Sequence, residues 1–208
     1  MELEDNVYDY KKSYGYPVKV TGPTTLPPLV SPHLLEKLNK LSSSGMEVLT
    51  PLQNHVIPII EAKRDLMAHM RDDPAAYLVP IVMEMEKKQT TRSGSPKCVI
   101  VSPFPEDINQ IKRVADTLSD RDGPRTVVDP GALKQGGGCE ILIVKPTTFI
   151  KLLKTESVLF NQVEVLVLDK ADVFIEIFTL ITQSPNFEGV LADNLPGKER
   201  RQTLVFSH

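Results

Sequence analysis

The sequence predicts an α/β domain built on a doubly wound parallel sheet, with helices on both faces. Two observations carry that expectation. From about residue 31 onward, short apolar runs alternate with stretches of helical periodicity. The runs themselves, such as Val163-Glu164-Val165-Leu166-Val167-Leu168, are almost continuously apolar, which suits strands covered on both sides. In such sheets ligands bind beyond the carboxyl ends of the strands, so the residues that follow each strand are the ones to read for chemistry.

Each element has its own signal. Residues 1–30 are rich in Tyr, Pro and Thr without sustained period and read as an extended, partly disordered lead-in to a domain over 31–208. Leu34, Leu35, Leu38 and Leu41 recur at helical spacing behind Ser31-Pro32, a plausible cap and first turn. A second short helix is expected over 51–62. Strands are expected over 65–68, 98–102, 125–128, 140–144, 163–168 and 203–206. Helices are expected over 75–88, 106–118, 147–154 and 171–181. Residues 87–97 read as a polar loop. Residues 135–138 form a Gly-rich loop without the Gly-Lys-Ser/Thr of a phosphate cradle.

Composition narrows the class. The 208 residues suffice for one sizeable core, and 41% hydrophobic with 25% charged residues is ordinary for a globular protein. A net charge of -3 gives no support to non-specific nucleic-acid binding, although it leaves a local basic strip open. Two cysteines, Cys98 and Cys139, are too few for a disulfide framework and lack zinc-site pairing. No apolar run approaches the ~20 residues of a membrane span. The acidic first residues are unlike a signal peptide. The expected location is cytoplasmic or nuclear, with no membrane partner.

Four segments, in order, resemble the motifs of the DEAD-box RNA helicases, over roughly residues 17–208. The first is Gly45 to Gln53 (GMEVLTPLQ), followed by Ile57-Pro58 and Arg64-Asp65. The resemblance implies that Gln53 reads adenine, with Thr50 and Pro51 retained beside it. The other reading is that Gln53 caps or braces a helix. The family's upstream adenine-stacking aromatic is missing, with Leu29 to Pro32 in that region.

The second segment decides most. Asp65-Leu66-Met67-Ala68 and Ala75-Ala76-Tyr77-Leu78-Val79-Pro80-Ile81 match the flanks of the family's Walker A loop. Between them lies His69-Met70-Arg71-Asp72-Asp73-Pro74, about three residues short and without glycine; Asp73 and Pro74 stand where lysine and threonine belong. A phosphate cradle needs glycines that turn consecutive amides inward, a lysine and a Mg²⁺-binding hydroxyl. Pro74 deletes an amide. Asp72 and Asp73 bring negative charge, and two unit charges ~4 Å apart repel by ~4 kcal/mol at an effective dielectric near ~20. A salt bridge from Arg71 to one of these aspartates would soften that repulsion.

The third segment is Asp169-Lys170-Ala171-Asp172, after the strand that ends at Leu168. The family has Asp-Glu-Ala-Asp here, its first Asp supporting Mg²⁺ and its Glu the attacking water. Lys170 replaces that Glu and cannot act as a base. Asp169 and Asp172 survive as remnants, and Asp169 is expected to cap the following helix.

The fourth group corresponds to the family's RNA contacts. Pro103, Glu106, Gln110 and Ile111 match one motif, with Pro105 in place of its Arg. In the other, Thr147-Thr148 replaces Gly-Arg after Lys145-Pro146. RNA-contact candidates are therefore Pro103, Gln110, Lys145, Pro146, Thr147 and Thr148; a solvated surface without RNA is the competing reading. The chain ends on Thr203-Leu204-Val205-Phe206-Ser207-His208, where the family has Thr-x-x-Phe-Ser-Ala-Thr. A second RecA-like domain follows there in the family, so the resemblance leads us to expect a domain boundary at this point. Residues 152–174, after GCEILIVKPTTF, also resemble the helicase region of Yb-type Tudor-domain proteins of the piRNA pathway.

The resemblance implies a RecA-like, P-loop NTPase-type three-layer fold. The family's cofactors are ATP and Mg²⁺; the altered motifs predict neither is used here. Three functions stay open: a pseudo-helicase that docks protein or RNA, which the Yb-type resemblance would place in cytoplasmic germline granules alongside Tudor domains; a divergent RNA-dependent ATPase; or an unrelated α/β enzyme. For the last, His55 and His69 are the interior histidines after the first helix, and neither is expected to pair with a nucleophile.

Overall fold

Six parallel strands form the sheet that organises the computed structural model. The structure describes residues 7–8, 18–19, 31–41, 49–69, 73–88, 95–131, 138–182 and 186–207. A two-residue antiparallel pair, β1 (Val7–Tyr8) with β2 (Val18–Lys19), stands apart from that sheet within the segment expected to be a plain lead-in. The main sheet comprises β3 (Leu66–His69), β4 (Cys98–Val101), β5 (Thr126–Val127), β6 (Ile141–Val144), β7 (Val165–Leu168) and β8 (Gln202–Ser207). Their spatial order is β3-β8-β7-β4-β6-β5, and every pairing is parallel.

Central strands β4, β6 and β7 are buried at every residue, as their apolar runs predict. Edge strand β3 alternates instead, with Met67 81% exposed. Alternate side chains feed two cores. Cys98, Ile100, Ile141, Ile143, Val165 and Val167 face one side, with helices α1 (Pro32–Asn39), α2 (Pro51–Glu61), α3 (Ala75–Lys87) and α4 (Pro105–Leu118). Val99, Val101, Leu142, Val144, Leu166 and Leu168 face the other, with α5 (Pro146–Thr155), α6 (Ala171–Thr182) and α7 (Phe187–Asn194). Cys98 and Cys139 are free and buried.

Caps explain where the helices start. Ser31 accepts a hydrogen bond from the Leu34 amide at the head of α1, with Pro32 at its first turn. Helix α7 had no strong periodic signal; it forms because Asn186 Oδ1 accepts from Gly189 N and Leu191 packs inward. On α6, Phe174 and Phe178 are core, as is the Val82-Met83-Met85 run on α3, whereas Ile175 is 52% exposed. A helix one layer from solvent buries one stripe, and Ile175 lies off it.

The deepest polar contact in the fold belongs to Lys37 on α1, a fully buried lysine. Its Nζ donates to Glu86 Oε1 at 2.7 Å, the Leu118 carbonyl at 2.9 Å and Asp120 Oδ2 at 3.0 Å. All three ammonium donors are thereby met, tying α1 to α3 and to the end of α4. Lys40 reaches Asp120 Oδ1 from outside at 2.6 Å. Hydrogen bonds from Lys40 and then Lys37 hold the Asp120 carboxyl down to about 2. Because its folded pKa is depressed, Asp120 contributes stability above its ordinary value of 3.8 and loses it as pH falls towards 2.

Replacing Lys37 by Met strands Glu86 and the Leu118 carbonyl and is expected to lower unfolding free energy by about 3 kcal/mol in urea titrations. Lys40→Ala, at a half-open pair, is expected to cost less than about 1 kcal/mol. Its larger signature is a flatter loss of stability between pH 4 and 2.

Candidate functional site

At the carboxyl ends of β4 and β7 the sheet gathers a small set of polar side chains. Ser102, one residue past β4, donates from Oγ to Asp169 Oδ2 at 2.8 Å, and Asp169 N donates back to the Val101 carbonyl at 2.9 Å. Both residues are buried. Asp169 is thereby tied to the end of the neighbouring strand through both its side chain and its backbone. Lys170 takes a left-handed backbone conformation at φ 51. Its Nζ lies 2.7 Å from Asp107 Oδ2 in the first turn of α4 and 5.2 Å from the Phe104 ring centroid. Lysine charge at this position is thus paired within the chain. Asp172, one turn on, is exposed in the first turn of α6 and does not join the group.

On the opposite wall stands the head of α3. Met70, Arg71 and Asp72 lie outside the described residues; Asp73 and Pro74 lie within them. Pro74 is buried at the N-cap position of α3 and offers no amide. Asp73 accepts from Gln53 Nε2 at 3.2 Å, and its carboxyl also meets the amides of Ala76 and Ala75. A helix N-terminus is a ready anion site. Here the anion facing it is the chain's own carboxylate. Burial raises the Asp73 pKa above the ordinary carboxylate value, while the bonds from Gln53, Ala76 and Ala75 pull against that rise.

Gln53 is spent on the same arrangement. Thr50 caps α2, its Oγ1 accepting from Gln53 N at 3.2 Å, and Gln53 Oε1 accepts from Thr50 N at 3.1 Å. Its carbonyl closes this capping box while its amide nitrogen serves Asp73, and the side chain is 2% exposed. Gln53 thus braces both helix heads in this structure. A purine edge would have to displace both bonds.

Asp73, Pro74, Tyr77, Asp107, Gln110, Ile111 and Asp169 enclose a cavity of about 10 Å³. That is roughly the room for one water molecule. Tyr77 is fully buried, stacked on Phe206 with centroids 5.0 Å apart, and its hydroxyl has no hydrogen-bond partner among the described residues. Burial, then the nearby Asp169, Cys98, Asp107 and Asp73, pushes its phenol well above the ordinary value. These residues do not fit a nucleoside triphosphate with its metal. Among the described residues no cluster of His, Cys, Asp and Glu is placed to hold a metal ion.

The RNA-contact candidates divide. Lys145 and Thr147 are exposed, Thr148 and Pro103 half-buried, and Pro146 buried at the first position of α5. Pro103 and Lys145 follow neighbouring strands, since β4 pairs with β6. Gln110 is placed elsewhere: one helical turn beyond Asp107, it lines the small cavity. The histidines also depart from expectation in one respect. Register pairs His69 with Ser207 across β3 and β8, bringing His69 Nδ1 to 3.2 Å from Ser207 Oγ. Among the described residues nothing bonds its other ring nitrogen, so the orienting member of a catalytic triad is not supplied. His55 is half-buried on α2, and burial lowers its pKa.

Sequence reasoning missed Ser102, Tyr77 and Asp107 as members of this site. Ser102 had a signal, a hydroxyl directly after a buried strand. Tyr77 read as one more residue of an apolar helix, and Asp107 as an ordinary first-turn acid.

Comparison with known proteins accounts for this architecture. The chain is 35% identical over 185 residues to probable ATP-dependent RNA helicase DDX4 of Bos taurus, covering 81% of this chain and 25% of that protein. The Mus musculus ATP-dependent RNA helicase DDX4 is equally similar, at 35% with 81% and 26% covered. DEAD-box ATP-dependent RNA helicase 52A of Oryza sativa subsp. japonica is 27% identical over 93% of the chain and 36% of its own length. The chain thus spans about a quarter to a third of the relatives it matches. The sheet order and flanking layers are those of a RecA-like domain. Because residues 50–207 match the DEAD/DEAH box helicase family, this chain belongs to that family.

Proposed function

We propose that this domain is a degenerate DEAD-box module that docks protein or RNA in RNA metabolism and does not hydrolyse ATP. One observation carries the reading: Asp73 takes the anion position at the head of α3, bonded to Gln53, with about 10 Å³ left beside it. Drug-sized ligand sites generally enclose hundreds of cubic ångströms, roughly 300–1,000 Å³. Lys170, paired with Asp107, supplies no base for an attacking water. The second RecA-like domain expected in a full-length protein leaves these losses in place, because they lie in this half. The likeness of residues 152–174 to Yb-type Tudor-domain proteins supports a finer assignment, to piRNA biogenesis and transposon silencing in germline ribonucleoprotein granules. Among the described residues no helix is long and apolar enough to cross a membrane.

Titration of a fluorescent ATP analogue with Mg²⁺ tests the first part. No saturable binding is expected at micromolar concentrations, and no ATP turnover with or without RNA. Micromolar binding abolished by Gln53→Ala would refute the proposal and establish a divergent RNA-dependent ATPase. Depleting the full-length protein from germ cells and sequencing small RNAs tests the finer assignment; undiminished transposon-matching small RNAs sink it.

Asp73 also sets a pH signature. Its folded pKa is raised, so the fold favours the protonated acid, and stability falls as pH rises through that value. Asp73→Asn keeps an acceptor without the charge. It is expected to be more stable than the parent in thermal melts at neutral pH, with the gap closing below pH 4. It is also expected to leave ATP binding undetectable, since it restores no glycine amides.

A further inference from the structure

The amino-terminal end of the sheet holds a second polar site, unrelated to the motor motifs. Residues before β3, β4, β7 and β8 enclose a cavity of about 310 Å³, floored by Ile60, Pro80, Ile81 and Val165. Six cationic side chains line it, Lys63, Lys88, Lys97, Lys198, Arg200 and Arg201, against Glu84, Glu164 and Glu199. All four lysines already have partners: Lys63 and Lys88 reach Glu84, Lys88 and Lys97 reach Glu164, and Lys198 reaches Glu188.

Arg201 is different. It is 5% exposed, yet its Nε and Nη1 have no hydrogen-bond partner among the described residues. Asp65 and Glu199 act on its charge, but Asp65 Oδ1 is bonded to the Thr203 amide at 2.7 Å. A buried guanidinium with two unmet donors costs free energy unless acceptors meet them. Beside it, Gln202 Nε2 is used by the carbonyls of Arg64 and Ile60, while Gln202 Oε1 is a buried acceptor without a partner.

We propose that this cavity binds a phosphomonoester or inorganic phosphate. Phosphate oxygens supply the charged acceptors that the unmet Nε and Nη1 donors of Arg201 need. A P–OH supplies the donor that Gln202 Oε1 needs, which neither a carboxylate nor a phosphodiester can do at its charged group. The net positive lining favours an anionic ligand.

Calorimetric titration of inorganic phosphate into this chain tests the site, near pH 6, where inorganic phosphate carries P–OH groups. Saturable binding is expected, with acetate, dimethyl phosphate and the Arg201→Lys variant each at least about tenfold weaker. Lys198→Glu, on the exposed rim, is expected to weaken binding severalfold without altering the melting temperature. If Arg201→Lys fails to fold, selectivity of the parent chain and the Lys198→Glu result decide. Absence of binding at tens of millimolar phosphate, or equal binding of acetate or dimethyl phosphate, overturns the proposal. Competition by 5′-phosphorylated but not 5′-hydroxyl RNA assigns the phosphate to an RNA end; no competition by either, with phosphate binding retained, assigns it to a small ligand. Asp73→Asn is expected to leave phosphate affinity unchanged, which separates this site from the motor site.

Discussion

Burial of β4, β6 and β7 on both faces is the constraint from which the rest follows. Four-residue strands with every side chain in a core leave no polar position along their length. Chemistry is therefore confined to the two ends of the sheet. At the carboxyl end, parallel pairing brings Ser102 and Asp169 together at adjacent strand termini. At the amino end it gathers Lys97, Glu164 and Gln202, since Glu164 and Val165 amides both reach the Lys97 carbonyl and Gln202 N reaches that of Glu164.

Electrostatics at the carboxyl end explains the lysine in the third motif. Asp73, Asp107 and Asp169 converge on one small cavity. Three carboxylates in a poorly solvated space repel unless some are protonated or paired. Lys170 pairs with Asp107, Ser102 donates to Asp169, and Gln53 donates to Asp73. Each acid has a neutralising or hydrogen-bonding partner drawn from this chain. In a motor, metal and triphosphate would share that balance; here the side chains complete it among themselves.

Legibility followed the range of the signal. Strand cores and helix spans could be read because they rest on local periodicity; most strand ends moved by one or two residues, and Ala75–Lys87 differs by one from its expected helix. The altered motifs could be read for the same reason, since Lys170 and Pro74 are single-residue facts. What Asp73 does could not. Its role depends on Gln53, twenty positions earlier, and on the direction of the α3 amides. Arg201 was equally hidden: in the sequence it is one cation in Glu199-Arg200-Arg201, and only the packing of β8 between β3 and β7 separates the buried guanidinium from its exposed neighbour.

Loss of the phosphate loop and retention of Gln53 have one physical account. In a nucleotide-reading site the glutamine amide needs to keep hydrogen-bonding capacity for the base. In this chain its Oε1 closes the capping box of α2 and its Nε2 holds Asp73 at the head of α3. Each such bond contributes about 0.5–1.5 kcal/mol, and leaving a buried partner unmet costs about 1–3 kcal/mol. Gln53 thus fastens the N-termini of α2 and α3 together. Grafting a glycine-rich loop back between β3 and α3 would remove Asp73 and loosen that fastening before any nucleotide arrived. Gln53, the adenine-reading position of the family resemblance, is thus also a brace between the heads of α2 and α3.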